Sequence, residues 1–160
     1  MPSDKAGGSG FAKEPGEAAM GNKLIELDIR VPNQTRYLGL IGRIGKELAR
    51  ELSRENGESE TLAQHLNVVL TEAMSNAIRH AHEGDPDKTV HISISIADDE
   101  LRIRVYDHGQ GFDLSSLPEG EPQELEAGGR GIYIIRCLMD TVVYRRSKEY
   151  NVLEMWKKLR

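Results

Sequence analysis

The sequence predicts an α+β fold, a two-layer sandwich in which helices cover one face of a mostly antiparallel β-sheet. Three patterns support this class. Apolar and polar residues alternate along several short stretches, as they do in strands that bury one face. Two pairs of these stretches, within 90–105 and 141–156, are joined by short polar turns and predict antiparallel hairpins. Two longer stretches, 37–52 and 60–82, repeat apolar residues at helical spacing and can pack on such a sheet.

Composition excludes several classes of protein. The chain has 160 residues, enough for one domain with a proper core. Its formal net charge of −5 argues against direct binding of nucleic acid. No run approaches the about 18 apolar residues of a membrane span, and the N-terminus lacks the apolar centre of a secretory leader. We therefore expect a cytoplasmic protein without membrane contact.

Cys137 is the only cysteine of the chain, so a disulfide within the chain and a cysteine cage for a metal are both excluded. It lies inside an apolar helical pattern, which predicts a small core residue rather than a reactive thiol. A sulfur-based site is therefore not expected.

The N-terminal segment differs in composition from the rest of the chain. Residues 1–22 are rich in Gly, Ala, Pro and charge, and they have no apolar period. This composition predicts a disordered tail ahead of a single domain over residues 23–160. A strand over 25–31 opens that domain, because aliphatic residues alternate there with charged ones.

Two helices follow the first strand. Asn33 or Thr35 can cap the helix at 37–52. The helix at 60–82 has an apolar arc that consists of Leu62, Leu66, Val69, Ala73 and Ala77. The first strand and the first helix can either support a homodimer or simply close the core of the monomer, and the sequence does not separate these alternatives.

Four polar side chains lie beside the apolar arc of the second helix: those of Glu72, Asn76, Arg79 and His80. The neutral oxygen of Asn76 can complete the coordination shell of a Mg²⁺ ion that takes its other ligands from a triphosphate and water. Glu72, one turn earlier, can accept a proton from an attacking hydroxyl. Arg79 and His80 can contact phosphate oxygens. The same four residues would also fit a solvated helix flank with no function.

The second strand of the first hairpin runs into Asp107, which is followed by Gly109 and Gly111. A carboxylate fixed at the end of a strand can accept a hydrogen bond from an exocyclic amine such as that of adenine. The two glycines allow a flat base to lie close to the backbone. Asp-Gly turns are common, so this motif alone is a weak signal.

A long polar loop over 113–128 has the length of a lid. It leads through Gly129-Arg130-Gly131 into a short helix predicted over 132–139, so that Ile132 is the first helical residue. The N–H groups and the positive end of a helix attract anions, and glycine lets a phosphate come close. By itself, a glycine-rich helix start is more often only a turn.

In combination, the motifs are more specific than any one of them. Their order, Glu-x-x-x-Asn, Asp-x-Gly-x-Gly, lid and Gly-x-Gly-helix, resembles the N, G1 and G2 boxes of the GHKL ATPase superfamily. That superfamily covers the ATP domains of gyrase, histidine kinases, MutL and the ninety-kilodalton heat-shock chaperone. Through the phrases TEAMSNAIRHAH and GGRGIYIIRCLMD, the chain is most similar to the small anti-sigma-factor serine kinases of the RsbW and SpoIIAB type.

The resemblance spans about residues 23–160 and implies the Bergerat ATP-binding fold. It implies that Glu72 is the general base, that Asn76 is the Mg²⁺ ligand and that Asp107 reads adenine. It also places Gly109 and Gly111 beneath the nucleotide and Gly129, Arg130 and Gly131 at the phosphates, and together with Arg79, His80 and Ile132 these residues form the expected nucleotide site.

The resemblance also implies a chemistry and a set of partners. ATP and Mg²⁺ would be the cofactors, and the acceptor would be a serine or threonine of a STAS-domain anti-anti-sigma protein. A sigma factor would be the second partner of a homodimeric kinase. One departure concerns adenine: many relatives open the last strand with Gly-Thr, where this chain has Tyr150-Asn151. The contact made by that threonine could come from Asn151, from water or from neither.

Three other functions compete with this interpretation. The protein could be a non-catalytic module that binds ATP and sequesters a sigma factor or another signalling partner, although such a module has no use for Glu72. It could phosphorylate a histidine, although no helix pair with an acceptor histidine precedes the domain. It could also be a structural α+β domain whose glycines are coincidental.

Overall fold

The computed structural model describes residues 23–53, 59–80, 88–109, 111 and 127–159. In chain order the elements are β1 (Lys23–Pro32), α1 (Leu38–Leu52), α2 (Ser59–His80), β2 (Thr89–Ala97), β3 (Glu100–Asp107), α3 (Ala127–Leu138), β4 (Thr141–Arg146) and β5 (Asn151–Lys158). The predicted tail at 1–22 and all but the last two residues of the predicted lid at 113–128 lie outside the described residues. In the described part, no helix is both long and apolar enough to span a membrane.

The five strands form one sheet in the order β1-β2-β3-β5-β4, and every neighbouring pair is antiparallel. Both predicted hairpins are present. Asp98 and Asp99 turn the first hairpin with φ angles of 49° and 60°, the left-handed conformation that a two-residue hairpin turn needs. Alternate residues of β2 and β3 are buried against the helices. The predicted α+β class is confirmed.

Helix α2 lies at the centre of the core. Four residues of the predicted arc, Leu66, Val69, Ala73 and Ala77, are at most 2% exposed. Its buried surface is wider than that arc, since Leu70, Met74 and Ile78 are also buried. The reason is that α2 packs against α1 and α3 as well as against the sheet.

Helices α1 and α2 approach each other closely at Gly45. A Cβ atom at Gly45 would lie 2.5 Å from Leu70 Cδ1 and 3.0 Å from the backbone oxygen of Leu66. A side chain would therefore push α2 away from α1. This contact fixes the position of the helix that carries Glu72 and Asn76.

The predicted cap of the first helix is wrong. A short 3₁₀ turn over Thr35–Tyr37 precedes α1, and neither helix start has a side-chain cap hydrogen bond. Asn33 is 1% exposed, and its amide nitrogen and oxygen have no hydrogen-bond partner. Its backbone N–H donates instead to the Lys88 carbonyl at 2.9 Å, which ties the end of β1 to the start of β2.

The prediction that Cys137 is a core residue is also wrong, because Cys137 is exposed. Among the α3 residues whose burial the structure describes, 129–138, Ile132 and Ile135 are buried, and Cys137 follows Ile135 by two positions. Two positions correspond to about 200° around a helix, so the two side chains face opposite ways.

Helix α3 begins at Ala127, five residues before the predicted start at Ile132. The intervening glycines have low helix propensity, which favoured a loop in the prediction. Packing of this segment against α2 outweighs that propensity, as the contact at Gly131 described below shows.

On the face of the sheet away from the helices, Glu154 is surrounded by arginines. Arg102 Nη2 donates to its Oε2 at 2.6 Å and Arg104 Nε donates to the same oxygen at 3.1 Å, while Arg145 Nη1 lies 3.3 Å from Oε1. The Glu154 side chain is only 4% exposed. Burial by itself raises the pKa of Glu154, but the hydrogen bonds from Arg102 and Arg104 outweigh it and hold the pKa below its ordinary value.

We expect Glu154→Gln to lower the free energy of unfolding at pH 7 by about 1.5–3 kcal/mol, the range for hydrogen bonds to charged groups. Because the folded-state pKa is depressed, this contribution is present above the unfolded-state value and is lost as the pH falls through the folded-state value. Urea unfolding at pH 7 and at progressively lower pH checks this. The matched control is Glu100→Gln at an exposed position of β3. If the difference in free energy of unfolding between wild type and Glu154→Gln does not decrease as the pH is lowered, the ion-pair explanation is contradicted.

Candidate functional site

Helix α2 presents three of the predicted site residues on one side. Asn76 is 7% exposed, and Glu72 and His80 are partly buried. His80 Nε2 lies 3.1 Å from Asn76 Oδ1, and since the amide oxygen is an acceptor, the imidazole donates this hydrogen bond. Arg79 is exposed. Because His80 lies four residues after Asn76, one helical turn further on, its imidazole can reach the Asn76 amide. Its hydrogen bond to Oδ1 fixes the orientation of that amide, with the oxygen toward the imidazole.

The charge state of His80 links α2 to the end of β3. Burial lowers the pKa of His80, the Asp107 carboxylate raises it and Arg79 lowers it again, with a net lowering. Helix α2, which carries His80 and Asn76, also packs on β3, the strand that ends at Asp107. The helix that carries Asn76 and the strand that ends at Asp107 are therefore neighbours in the fold.

Asp107 is held rigidly at the end of β3. It is 3% exposed, and its Oδ1 accepts a hydrogen bond from the Gly109 N–H at 2.9 Å. The side-chain NH₂ group of Asn151, at the start of β5, donates hydrogen bonds to the same Oδ1 at 3.0 Å and to the Gly109 carbonyl oxygen at 2.9 Å. Among the described residues, Asp107 Oδ2 accepts no hydrogen bond, so this oxygen can receive a donor from a ligand.

Gly111 needs to be glycine for two reasons. Its φ is +74°, a left-handed conformation that other residues adopt only with strain. A Cβ atom there would lie 2.9 Å from Arg146 Nε and 3.1 Å from the Tyr144 hydroxyl. The last hairpin therefore packs directly on the turn that follows Asp107.

Gly131 of α3 lies against Glu72 of α2. A Cβ atom at Gly131 would lie 2.6 Å from Glu72 Oε2, closer than any real Cβ contact. The absence of a side chain at Gly131 makes room for the carboxylate. In this way the Glu-x-x-x-Asn motif of α2 and the Gly-x-Gly motif of α3 meet through a single contact between two helices.

The early start of α3 changes the predicted anion site. Gly129 and Arg130 lie in the first turn, where N–H groups have no partner within the helix for the first residues. The N–H groups of Gly131 and Ile132 lie beyond that point, within the hydrogen-bonded ladder. The Ile132 side chain is 1% exposed and belongs to the core. Donors for an anion at this helix end would therefore come from Gly129 rather than from Ile132.

Three contacts at the site were not predicted from the sequence: that of Asn151 with Asp107, that of Gly131 with Glu72, and that of the last hairpin with Gly111. The Tyr150-Asn151 departure was the only sequence signal for the first of them. The other two depend on how elements far apart in the chain pack together, and no local pattern indicates them.

Comparison with known proteins gives three results. A family model described as "Histidine kinase-like ATPase domain" matches residues 36–157. The chain is 27% identical over 140 residues to "Serine-protein kinase RsbW" of Oceanobacillus iheyensis, covering 82% of this chain and 85% of that protein. It is 29% identical over 131 residues to the protein of the same name in Bacillus subtilis, covering 77% and 79%.

Among solved structures, the chain is similar to one described as the SiaB-SiaC complex from Pseudomonas aeruginosa. The TM-score is 0.60 at 13% sequence identity, and the match covers 85% of this chain and 90% of that chain. At this identity, the likeness concerns the fold.

Proposed function

Because the chain belongs to the histidine kinase-like ATPase domain family, we propose that it binds Mg-ATP and transfers the γ-phosphoryl group to a serine or threonine of a protein partner. The observation that carries the proposal is that residues of the three predicted motifs lie on α2 or on the elements that pack against it. Glu72 lies against Gly131, Asn76 and His80 are hydrogen-bonded on α2, and α2 packs on β3, the strand that ends at Asp107. The relatives named serine-protein kinase support the choice of a hydroxyl acceptor.

At the purine end, Asp107 offers Oδ2 as an acceptor for the exocyclic amine of adenine. Gly109 and Gly111 let the base lie close to the backbone. Asp107 is buried, and its other oxygen is held by two donors. A base that enters this position therefore meets an acceptor whose direction is fixed before binding, which lowers the entropic cost of recognition.

At the phosphate end, Asn76 suits a metal that is shared with the nucleotide. No group of three or more His, Cys, Asp or Glu in the described part of the chain could hold a metal ion. A single neutral oxygen on α2 is consistent with Mg²⁺ whose other ligands are phosphate oxygens and water. Neutralising the phosphate charge is the chemistry that Mg²⁺ supplies when bound. Arg79, Arg130 and the Gly129 N–H would face the remaining phosphate oxygens.

Glu72 is the proposed general base. Its carboxylate would accept the proton of the serine hydroxyl as that oxygen forms a bond to the γ-phosphorus and the bond to the β-phosphate oxygen breaks. Phosphoryl transfer depends mainly on alignment and charge stabilisation. The contact with Gly131 supports this role, because the carboxylate then lies beside α3, the helix whose start is proposed to face the phosphates.

For the partners, we propose a STAS-domain anti-anti-sigma protein as substrate and a sigma factor as the protein that the kinase holds inactive. This follows from the sequence resemblance and from relatives that carry the RsbW name.

We also propose a homodimer. Ile25, Leu27 and Ile29 of β1 are only partly buried, and Leu40 of α1 is 41% exposed, so apolar surface remains for a second copy.

Incubation with γ-labelled Mg-ATP and candidate STAS-domain proteins, followed by mapping of the labelled residue, tests the proposal. We expect acid-stable phosphate on one serine or threonine of the STAS protein. Acid-labile phosphate would indicate a histidine kinase instead. ATP binding and sigma-factor binding without any transfer would favour the non-catalytic sequestering module.

We expect Gly131→Ala to lower the rate of transfer at least tenfold while ATP affinity changes little. The new methyl group would displace the Glu72 carboxylate, and a displacement of about 1 Å can cost about 10²-fold in rate. Single-turnover transfer and calorimetry measure the two quantities. Gly39→Ala is the matched control, since among the described residues the one atom within 4 Å of its Cβ atom would be Arg43 Nη1, at 3.3 Å, and no proposed site residue would be touched. A normal transfer rate in Gly131→Ala would mean that the position of Glu72 does not matter.

A further inference from the structure

We infer that Asn151 is the positioning residue for base recognition, acting on the nucleotide through Asp107 rather than by contact with it. This inference rests on the proposed function, since it concerns how the same site distinguishes its base. It also chooses among the three alternatives that the Tyr150-Asn151 departure leaves open.

The hydrogen bonds of Asn151 fix its amide orientation. The two atoms it faces, Asp107 Oδ1 at 3.0 Å and the Gly109 carbonyl oxygen at 2.9 Å, are both acceptors. Only the amide nitrogen can satisfy two acceptors, so it must point toward them. Both of its hydrogens are then used within the protein, and no donor of Asn151 remains for a nucleotide.

The burial of Asn151 supports a structural connection rather than a ligand contact. The residue is 4% exposed, and its amide oxygen faces Gly111, where a Cβ atom would lie 3.1 Å away. Asn151 therefore lies beneath the turn that carries Gly109 and Gly111. It connects the carboxylate, the turn and the start of β5.

The hydrogen bonds to Oδ1 fix the orientation of the Asp107 carboxylate. Oδ1 receives the Asn151 amide and the Gly109 N–H, so the carboxylate cannot rotate without breaking one of these hydrogen bonds. Oδ2 is then held as the acceptor toward the base. A base with an amine at this position gains a hydrogen bond, whereas a base without the amine gains nothing from the arrangement. Asn151 thus contributes to the preference for adenine and leaves phosphate binding unchanged.

The test compares two nucleotides on purified full-length protein by calorimetry: ATP and purine riboside triphosphate, which lacks the 6-amino group. We expect Asn151→Ala to weaken ATP binding about tenfold or more and to change binding of the analogue less than about threefold. Asn151→Thr, whose hydroxyl has one hydrogen for two acceptors, should fall between wild type and Asn151→Ala. Ser147→Ala is the control, because Ser147 bonds Tyr150 in the same turn without touching Asp107.

A double-mutant cycle separates action through Asp107 from direct contact. In an Asp107→Ala background, Asn151→Ala should cause no further loss of ATP affinity. Equal losses for both nucleotides, additive losses in the cycle, or wild-type ATP affinity in Asn151→Ala would each overturn the inference. If Asn151→Ala does not fold, Asn151→Thr gives the same comparison. A wild-type chain that binds no ATP would contradict the proposed function, and an unaffected Asn151→Ala beside a binding wild type contradicts only this inference.

Discussion

The Glu72→Ala variant is expected to bind ATP with nearly wild-type affinity and to transfer phosphate about 10²–10⁴-fold more slowly, the usual contribution of a general base. The physical reason is that the proposed role of Glu72, which lies against Gly131, is to accept the proton of the acceptor hydroxyl, whereas the proposed adenine contact is made by Asp107. Removing its carboxylate deprives the hydroxyl of a proton acceptor but removes no contact with the purine.

Calorimetry with ATP and single-turnover transfer to the proposed STAS-domain substrate measure the two effects separately. Glu60→Ala is the matched control, because Glu60 is a glutamate of the same helix with a side chain 61% exposed. Retention of transfer in Glu72→Ala would refute the base assignment. Loss of ATP binding in the same variant would move Glu72 from the chemical step to nucleotide binding.

The second large effect is expected for Asp107→Asn, which should weaken ATP binding about 10–100-fold, as a lost hydrogen bond to a charged group predicts. The substitution keeps the shape of the side chain. Its amide oxygen would remain toward the two donors, Gly109 N–H and Asn151, because only an acceptor suits them. The new NH₂ group would then face the adenine amine, donor against donor.

ATP affinity measured by calorimetry decides this prediction, and thermal unfolding shows whether the fold is intact. Asp98→Asn is the matched isosteric control at the exposed turn between β2 and β3, where asparagine tolerates the positive φ. Unchanged affinity in Asp107→Asn would exclude Asp107 as the residue that reads the base.

Much of the architecture could be predicted because it depends on local patterns. Alternation along 90–96 and 101–105, with Asp98-Asp99 between, is sufficient to predict a hairpin, and the observed register pairs Ile94 with Ile103 across it. Helical spacing likewise predicted the buried arc of α2. The GHKL resemblance, based on the order of short motifs, is confirmed by the match of the family model over 36–157.

The errors come from positions where packing outweighs local preference. The glycines at 128–131 led to the prediction of a loop where α3 in fact begins. The apolar residues around Cys137 led to the prediction of a core residue, but Cys137 is exposed. The cap predicted at Asn33 or Thr35 is absent because a 3₁₀ turn already leads into the helix. In each case the sequence pattern was correct about the element but not about which residues begin it or which way they face.

The sequence by itself determined the kinds of element, their order and the chemical identity of the candidate site residues, because periodicity and motif spacing are properties of short segments. Tertiary structure alone decided that Asn151 holds Asp107 and that Gly131 makes room for Glu72. These partners are far apart along the chain, and their distances of contact depend on how the last hairpin and α3 pack on β3 and α2. Such packing is a sum of many weak contacts across the whole core, which no single stretch of sequence encodes.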